Sequence, residues 1–162
     1  MDRRAVPSTI TVSPVTDILF TRRFSMPNAN TFSMAPCRDV LGRYIDRNRL
    51  ARWDGTAFVG GDLRVVDPFA RGNQWASVSN DIDPAQPTHF HLEARAFLQH
   101  LRDMGFDGTF DVILLDPPYS PRQISEHYKA AGLRCTGQDT QGARLYAECK
   151  NLMVPLLRPG GF

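Results

Sequence analysis

One stretch, Phe110–Tyr119 (FDVILLDPPY), constrains the fold of this chain more than any other. Phe110–Leu115 is mostly apolar and contains neither glycine nor proline, which is typical of a strand buried on both faces inside a parallel sheet. Asp116–Tyr119 follows at once, and two consecutive prolines cannot donate to a β-ladder, so the strand must end there. A carboxylate, a rigid turn and an aromatic ring are therefore predicted at the carboxyl end of a parallel strand, where α/β sheets bind ligands.

The parts of this turn suit a planar amine. Asp116 offers acceptor oxygens, the carbonyls of Pro117 and Pro118 can also accept, and Tyr119 offers a flat face for stacking. Two acceptors beside an aromatic ring match an exocyclic NH2 group on a planar base, which has two protons to donate. The alternative is that Asp116 caps a helix starting near Ser120 and that Tyr119 is a core residue. That alternative explains one Asp or one Pro, but not four residues in this order.

Composition restricts the class of protein. The chain has 162 residues, of which 42% are hydrophobic, and this predicts one domain with a sizeable core. No apolar run approaches the roughly 20 residues that span a bilayer, and the N terminus lacks the apolar core of a signal peptide. The three cysteines lack CxxC spacing and predict reduced thiols without a zinc site. We therefore expect a cytoplasmic protein with no membrane partner.

Two further observations concern charge and metal binding. The net charge of +2 predicts no strong nucleic-acid field over the whole chain. His89 and His91 could form an H-x-H metal pair, but no third ligand is evident nearby. Two histidines on the same face of a half-buried strand are the favoured interpretation, and no metal is expected.

Strands and helices alternate along the chain, which predicts an α/β fold with a doubly wound parallel sheet. In a sheet of strand order 3-2-1-4, the loops after the first and fourth strands face one crevice. Those loops contain Asp67 and Asp116. The predicted strands are Leu63–Val66, Trp75–Ser79, Thr88–Leu92 and Phe110–Leu115, and the predicted helices are Asp39–Trp53, Ala94–Met104, Ser120–Ala131 and Ala143–Leu157.

An acidic residue also ends the second predicted strand. Asp81 follows Asp67 at a distance that suits a turn, a helix and a strand. A carboxylate in this place of a nucleotide fold commonly binds ribose hydroxyls. Asp81 is therefore predicted to bind a ribose, with Ile82 flanking an adenine ring. The alternative is an ordinary Asp-rich turn before Pro84.

These motifs resemble those of the amino-methyltransferases that use S-adenosylmethionine, above all the DNA adenine-N6 group. Asp116–Tyr119 resembles their motif IV, and Asp67–Ala70 (DPFA) resembles their motif I, whose loop bends around the methionine part of the cofactor. Arg71 and Asn73 depart from motif I, because both stand where the family has glycine. The resemblance implies a Rossmann-like methyltransferase sheet with S-adenosylmethionine as cofactor.

The resemblance extends to weaker motifs. Glu93-Ala94 is similar to motif III, whose acid contacts the adenine amino group of the cofactor, although the helix macrodipole also favours an acid there. Asn28–Phe32 is similar to motif X, which lines the methionine end of the cofactor. The cofactor-binding residues implied by the family are Asp67, Phe69, Asp81, Ile82 and Glu93.

The implied activity is transfer of a methyl group to N6 of an adenine flipped out of DNA. Asp116, Pro117, Pro118 and Tyr119 would form the catalytic turn. Two alternatives stay open. One is another exocyclic amine, cytosine N4 in DNA or guanine N2 in ribosomal RNA, and the other is a non-catalytic remnant that binds cofactor or nucleic acid.

The family pattern also predicts the domain organisation. Residues 1–36 are expected to form an N-terminal extension with motif X, and residues 37–162 a methyltransferase catalytic domain. Methyltransferases of this fold continue after a Pro-Gly-Gly turn with a fifth strand and two more. Here Phe162 follows the turn Pro159–Gly161. The expectation is a catalytic domain that is incomplete at its C terminus, with Phe110–Leu115 at an open sheet edge.

Overall fold

The computed structural model describes Met26 and residues 31–47, 52–53, 58–59 and 63–162. These residues form a mixed α/β structure with four α-helices and a small three-stranded parallel sheet. The helices are α1 (Ala35–Arg47), α2 (Ala94–Asp103), α3 (Pro121–Ala130) and α4 (Gly142–Met153), and two short 3-10 helices span Thr31–Ser33 and Val154–Leu156. The strands are β1 (Arg52–Trp53), β2 (Phe58–Val59), β3 (Val65–Asp67), β4 (Val78–Ser79) and β5 (Val112–Ile113).

The parallel sheet has the order β4-β3-β5, so its first strand in sequence lies in the middle. In the register, Val66 faces Val78 of β4 and Ile113 of β5. A single parallel bridge joins Asn80 to Phe90 beside β4. The segment containing Phe90 therefore continues the sheet on the β4 side, in the order that the alternating pattern predicts. β1 and β2 pair separately as an antiparallel ribbon.

Both faces of the sheet are buried, as the apolar strand composition predicts. Val66 and Ile113 pack on one face against α2, α3 and α4, with Phe97 fully buried among them. Val65 and Val112 point to the other face and pack against α1. Because neighbouring residues of a strand face opposite sides, one short strand contributes to both cores.

β5 lies at the edge of the three-stranded sheet, and its outer side meets the end of the chain. Phe162 donates its amide to the Asp111 carbonyl at 2.9 Å and accepts from the Ile113 amide at 2.9 Å. These two bonds have the spacing of a parallel ladder. The Phe162 ring packs against Tyr44 of α1, with ring centroids 4.4 Å apart. Phe162 therefore pairs with the outer side of β5, so this part of the edge is not open as the sequence predicted.

The helix ends follow local chemistry. Ser120 caps α3 by accepting from the Gln123 amide at 3.2 Å, and Pro121 occupies the first turn. Gly132, at φ +70°, follows the end of α3. The predicted last helix is too long, because α4 ends at Met153 and Pro155 tightens the chain into a 3-10 turn. α1 spans Ala35–Arg47, earlier than the predicted Asp39–Trp53.

The predicted third strand, Thr88–Leu92, does not form a continuous strand, and within it Phe90 alone pairs in parallel at the predicted place beside β4. Side chains take part in the hydrogen bonding of this segment. The Thr88 hydroxyl donates to the Phe90 carbonyl at 2.9 Å, and the Leu92 amide donates to the side chain of Asn80 at 2.9 Å. Such local side-chain bonds compete with a ladder.

Some expectations fall outside the part of the chain that the structure describes. They include residues 28–30 of the motif X candidate. Within the described residues, no helix is both long and apolar enough to cross a membrane.

We expect Gly161 to be intolerant of a side chain. A Cβ there would lie 2.9 Å from the Phe110 carbonyl oxygen and 3.0 Å from that of Asp111. Because both neighbours are backbone of the β5 region, Gly161→Ala should lower the free energy of unfolding by about 1–3 kcal/mol. Gly137→Ala is the control, since a Cβ at Gly137 meets no atom within 4 Å, and it should stay within ~0.5 kcal/mol of the parent chain. Equal urea midpoints for the two variants would contradict the assignment.

Candidate functional site

Three carboxylates meet at the carboxyl edge of the parallel sheet. Asp67 is the last residue of β3, Asp81 lies just beyond β4, and Asp116 lies just beyond β5. Asp81 and Asp116 line one cleft, and the charges of both act on Asp67. The parallel pairing thus brings together Asp67, Asp81 and Asp116, three of the four acidic residues that the sequence singled out.

Asp67 is the most buried of the three, with 2% of its surface exposed. One carboxylate oxygen accepts from the Phe69 amide at 3.0 Å. Burial raises the pKa of Asp67 to about 7, and the nearby charges of Asp116 and Asp81 add to this effect, whereas the Phe69 hydrogen bond opposes it. Asp67 is therefore a carboxyl group that titrates near neutral pH.

Asp81 holds the loop that follows β3. Its Oδ2 accepts from the Arg71 amide at 3.0 Å, and its Oδ1 accepts from the Asp83 amide at 2.9 Å. Asp81 is buried but lines the cleft. Each carboxylate oxygen has a second lone pair, so these bonds leave acceptor capacity for a hydroxyl group.

The loop after β3 adopts a left-handed conformation at Arg71, whose φ is +49°. Of the described residues, Arg71 is the one that is not glycine and has a positive φ. Asn73, the other residue that stands where the resembled motif has glycine, does not have a positive φ. The Oδ1 of Asn73 accepts from the Trp75 backbone amide at 2.9 Å. The backbone amide of Asn73 donates to the Ala70 carbonyl at 2.8 Å.

Asn80 is a structural residue of the site that the sequence reasoning missed. Its side-chain amide donates to the carbonyls of Pro68 at 3.1 Å and Leu92 at 2.9 Å, and its Oδ1 accepts from the Leu92 amide. Asn80 is fully buried. It therefore joins the loop after β3 to the segment before α2, which form two walls of the cleft. In the sequence, the one signal for Asn80 was a polar residue at the end of a predicted strand.

The cleft lies between the sheet edge and helices α2, α3 and α4. The volume of this cavity is about 40 Å³. Ligand pockets commonly measure roughly 300–1,000 Å³. A nucleoside-sized ligand would therefore need lining side chains to shift as it binds. Those residues are Pro68, Phe69, Arg71, Asn80, Asp81, Ile82, Leu92, Glu93, Ala94, Asp116, Pro118, Ile124, His127, Tyr128 and Leu145.

The Asp-Pro-Pro-Tyr turn separates this cleft from a second, polar pocket of about 220 Å³. Tyr119 lines the second pocket with 79% of its surface exposed, so its ring is open to a stacking partner. Arg71, Asp116 and Pro118 line both cavities. The other residues of the second pocket are Thr31, Pro117 and Gln123.

The alternative explanation of this turn is wrong on both points. Ser120, rather than Asp116, caps α3. Tyr119 is exposed and does not belong to the core. The residues of the turn are therefore not accounted for by helix capping and packing.

Glu93 has a structural role at the floor of the cleft. Its Oε2 caps α2 by accepting from the amides of Arg95 at 2.9 Å and Ala96 at 3.3 Å. Its Oε1 accepts from Arg95 Nε at 3.0 Å and from the Tyr128 hydroxyl at 3.0 Å. The structure thus shows the helix-end role, and contact with an adenine amino group stays a prediction.

Arg95 ties three elements together beneath the cleft. Besides Glu93, its guanidinium contacts Glu148 of α4 at 2.8 Å and Asp139 at 3.3 Å.

Burial and the Glu93 charge raise the pKa of Tyr128, which therefore stays protonated and donates to Glu93. Tyr128 lies one helical turn after Ile124, on the apolar face of α3. This helical spacing could have identified Tyr128 from the sequence.

The histidines do not form a metal site with their neighbours. His89 Nδ1 lies 2.8 Å from the Ser79 hydroxyl, and His91 Nδ1 lies 3.3 Å from that of Thr88. No cluster of three or more metal-ligating side chains occurs among the described residues.

Comparison with known proteins adds no relative: no family model matches the chain, and neither a curated protein nor a solved structure is significantly similar to it.

We predict a pH dependence of stability from Asp67. Its pKa in the folded protein, about 7, lies above its ordinary value of 3.8. Protonated Asp67 therefore stabilises the fold fully below about pH 4, and this contribution is lost as the pH rises through about 7. Between about pH 5 and pH 8, the parent chain should lose about 2 kcal/mol more of unfolding free energy than Asp67→Asn.

Urea unfolding at the two pH values measures this difference. Asp67→Asn retains an acceptor for the Phe69 amide and carries no charge. Asp103→Asn, a change at an exposed residue of α2, controls for the altered net charge and should follow the parent chain. The same pH profile for Asp67→Asn and the parent would show that Asp67 does not titrate in this range.

Proposed function

We propose that this chain transfers a methyl group from S-adenosylmethionine to an exocyclic amine, namely N6 of adenine in DNA. One observation carries the proposal. The turn Asp116–Tyr119 follows a buried parallel strand and lies between an acidic cleft and an open polar pocket. A group-transfer enzyme needs two binding compartments that meet at one reactive position, and this turn lies where the two cavities meet.

The cleft fits the cofactor in charge and surface. Asp81 and Asp116 line it and Asp67 lies buried beside them, which favours a ligand that carries the positive charges of a sulfonium and an ammonium group. Phe69 and Ile82 supply apolar surface for a base. Asp81, at the end of β4, would accept from ribose hydroxyls.

S-adenosylmethionine, when bound, supplies an electrophilic methyl group. The protein's own contribution is to prepare the amine. The lone pair of an aromatic amine is delocalised into its ring, which makes the nitrogen a poor nucleophile. Asp116 and the Pro117 carbonyl would accept the two N–H bonds, draw the nitrogen towards tetrahedral geometry and free the lone pair. The nitrogen that gains the methyl group would release one proton to solvent. The bond between that methyl group and the sulfonium sulfur would break, and the thioether S-adenosylhomocysteine would be the leaving group.

Tyr119 and the polar pocket would hold the target base. A base inside a duplex cannot reach the turn, so it must leave the stack, and an exposed aromatic ring compensates for part of the lost stacking. The exposure of Tyr119 supports this role. Holding both reactants at one turn supplies the remaining rate enhancement through proximity.

The proposal includes the fold. The strand order β4-β3-β5, with Phe90 beside β4, supports a doubly wound Rossmann-like methyltransferase sheet. In this interpretation residues 37–162 belong to the catalytic domain, and Phe162 pairs with the outer side of β5.

We expect Asp116→Ala to abolish methyl transfer while leaving cofactor affinity within about tenfold, because the lost acceptor matters most as the amine pyramidalises. The assay supplies cofactor labelled on the methyl group and offers DNA and RNA separately. Asp103→Ala, at an exposed position on α2, is the control and should retain the parent rate. Label in cytosine or in RNA would redirect the proposal to another amine. Cofactor binding without any transfer would support a non-catalytic role.

Tyr119 allows a matched pair of variants. Tyr119→Phe should keep most of the transfer activity, since stacking needs only the ring, whereas Tyr119→Ala should lose about 1–3 kcal/mol of stacking energy with the base. Single-turnover rates with DNA measure both variants. Equal losses in the two variants would show that the hydroxyl group, and not the ring face, is required.

A further inference from the structure

We propose that Arg71 binds the carboxylate of the cofactor's amino-acid part, at the junction of the cleft and the polar pocket. This inference rests on the proposed function, and it assigns a role to the residue that departs most from the resembled motif. Four independent observations concern the backbone of Arg71, its position, the surrounding charge and its loop.

The backbone observation is a strained conformation. Arg71 has φ +49°, in the left-handed region that disfavours a residue with a Cβ. The surroundings hold it there, because its amide donates to Asp81 Oδ2 at 3.0 Å and the Ala70 amide donates to the Asn80 carbonyl at 2.9 Å. Glycine would adopt this conformation without strain. Strained residues of this kind concentrate at binding sites, where the side chain has a use.

The position of Arg71 indicates which part of the cofactor its side chain would bind. Arg71, Asp116 and Pro118 are the residues that line both cavities. A group passed from one cavity to the other has to cross where the two meet. The amino-acid part of S-adenosylmethionine is bonded to the same sulfur as the transferred methyl group, so its carboxylate lies only a few bonds away. Arg71 is therefore placed next to the end of the cofactor that carries a negative charge.

A carboxylate bound at the junction of the two cavities would need a cation beside it. Asp81 and Asp116, which line the cleft, would repel a carboxylate. Arg95 lines neither cavity. Among the described residues that line the cleft and the polar pocket, Arg71 is the arginine. A guanidinium group binds a carboxylate through two parallel hydrogen bonds, which gives both charge compensation and orientation.

A nucleic-acid phosphate is the other anion that an arginine in this place could bind. The loop favours the carboxylate. Arg71 lies two residues after Phe69 in the same loop, and Pro68 and Phe69 wall the cleft rather than the polar pocket. Binding of DNA is therefore measured as a separate outcome.

The test compares two ligands that differ in the amino-acid part. S-adenosylhomocysteine carries the carboxylate, whereas 5′-methylthioadenosine has the same nucleoside and sulfur without it. Calorimetry with the full chain should show that Arg71→Gln weakens S-adenosylhomocysteine about 10- to 100-fold and changes 5′-methylthioadenosine by less than about threefold. Arg71→Lys keeps the charge but not the paired hydrogen bonds, so its loss should be intermediate.

Arg71→Gly separates the backbone from the side chain. Glycine adopts a positive φ without strain, so this variant suits the loop conformation while it removes the guanidinium group. The affinity for S-adenosylhomocysteine should nevertheless fall as far as in Arg71→Gln. A merely structural role for Arg71 predicts the reverse, because relief of strain would then leave binding unchanged or improve it.

Each remaining outcome overturns the inference in a recognisable way. Equal weakening of both ligands by Arg71→Gln would mean that Arg71 supports the cleft without contacting the carboxylate. Unchanged affinity for S-adenosylhomocysteine with weaker binding of a DNA duplex would assign Arg71 to a phosphate. If the parent chain binds neither ligand, the proposed function fails and the inference fails with it. If the parent binds both ligands and no Arg71 variant changes either affinity, the inference alone fails.

Discussion

The pairing of β3 with two parallel neighbours is the interaction on which the rest of this structure depends. Val66 of β3 faces both Val78 and Ile113, and this one register sets where all three strands end. Because the strands run parallel, their carboxyl ends share one edge of the sheet. Asp67, Asp81 and Asp116 belong to three separate turns of the sequence and become neighbours only through this register. A slip of one residue in β5 would exchange the faces of Val112 and Ile113 and displace Asp116.

Bringing three acids together at a partly buried edge creates an electrostatic cost, which the structure reduces in different ways. Backbone amides donate to Asp67 and Asp81. Burial raises the pKa of the Asp67 carboxyl to about 7, which lowers its average negative charge. The acid below the cleft, Glu93, is instead neutralised by Arg95. The cleft therefore keeps a local excess of negative charge although the whole chain carries a net charge of +2. That local charge, rather than the net charge, determines which ligands suit it.

Local chemistry explains why some elements were predictable from the sequence. The apolar periodicity of α2 and the serine and proline before α3 act within a few residues, and both helices begin where those signals place them. The segment around His89 shows the limit of such reasoning. Its side chains hydrogen-bond to Ser79 and to one another, so a pattern that resembles a strand forms turns with one bridge. α1 also begins earlier than predicted, at Ala35, and the Arg38 amide already donates to the Met34 carbonyl at 3.0 Å.

The sequence by itself determined the strand that ends in Asp-Pro-Pro-Tyr, since two prolines end any ladder whatever surrounds them. It also determined that an acidic residue lies at or just after the end of each strand of the parallel sheet. The alternation of strands and helices, which leads to a parallel sheet, was likewise evident from the sequence. Only the tertiary structure decided that Tyr119 is exposed, that Glu93 is committed to the end of α2, and that Arg71 rather than Asn73 takes the left-handed position. These outcomes depend on partners distant in sequence, such as Tyr128 for Glu93 and Asp81 for Arg71. A side chain's hydrogen-bond partners follow from chain packing, and the packing of a sheet edge against three helices cannot be derived from the spacing of residues along one strand.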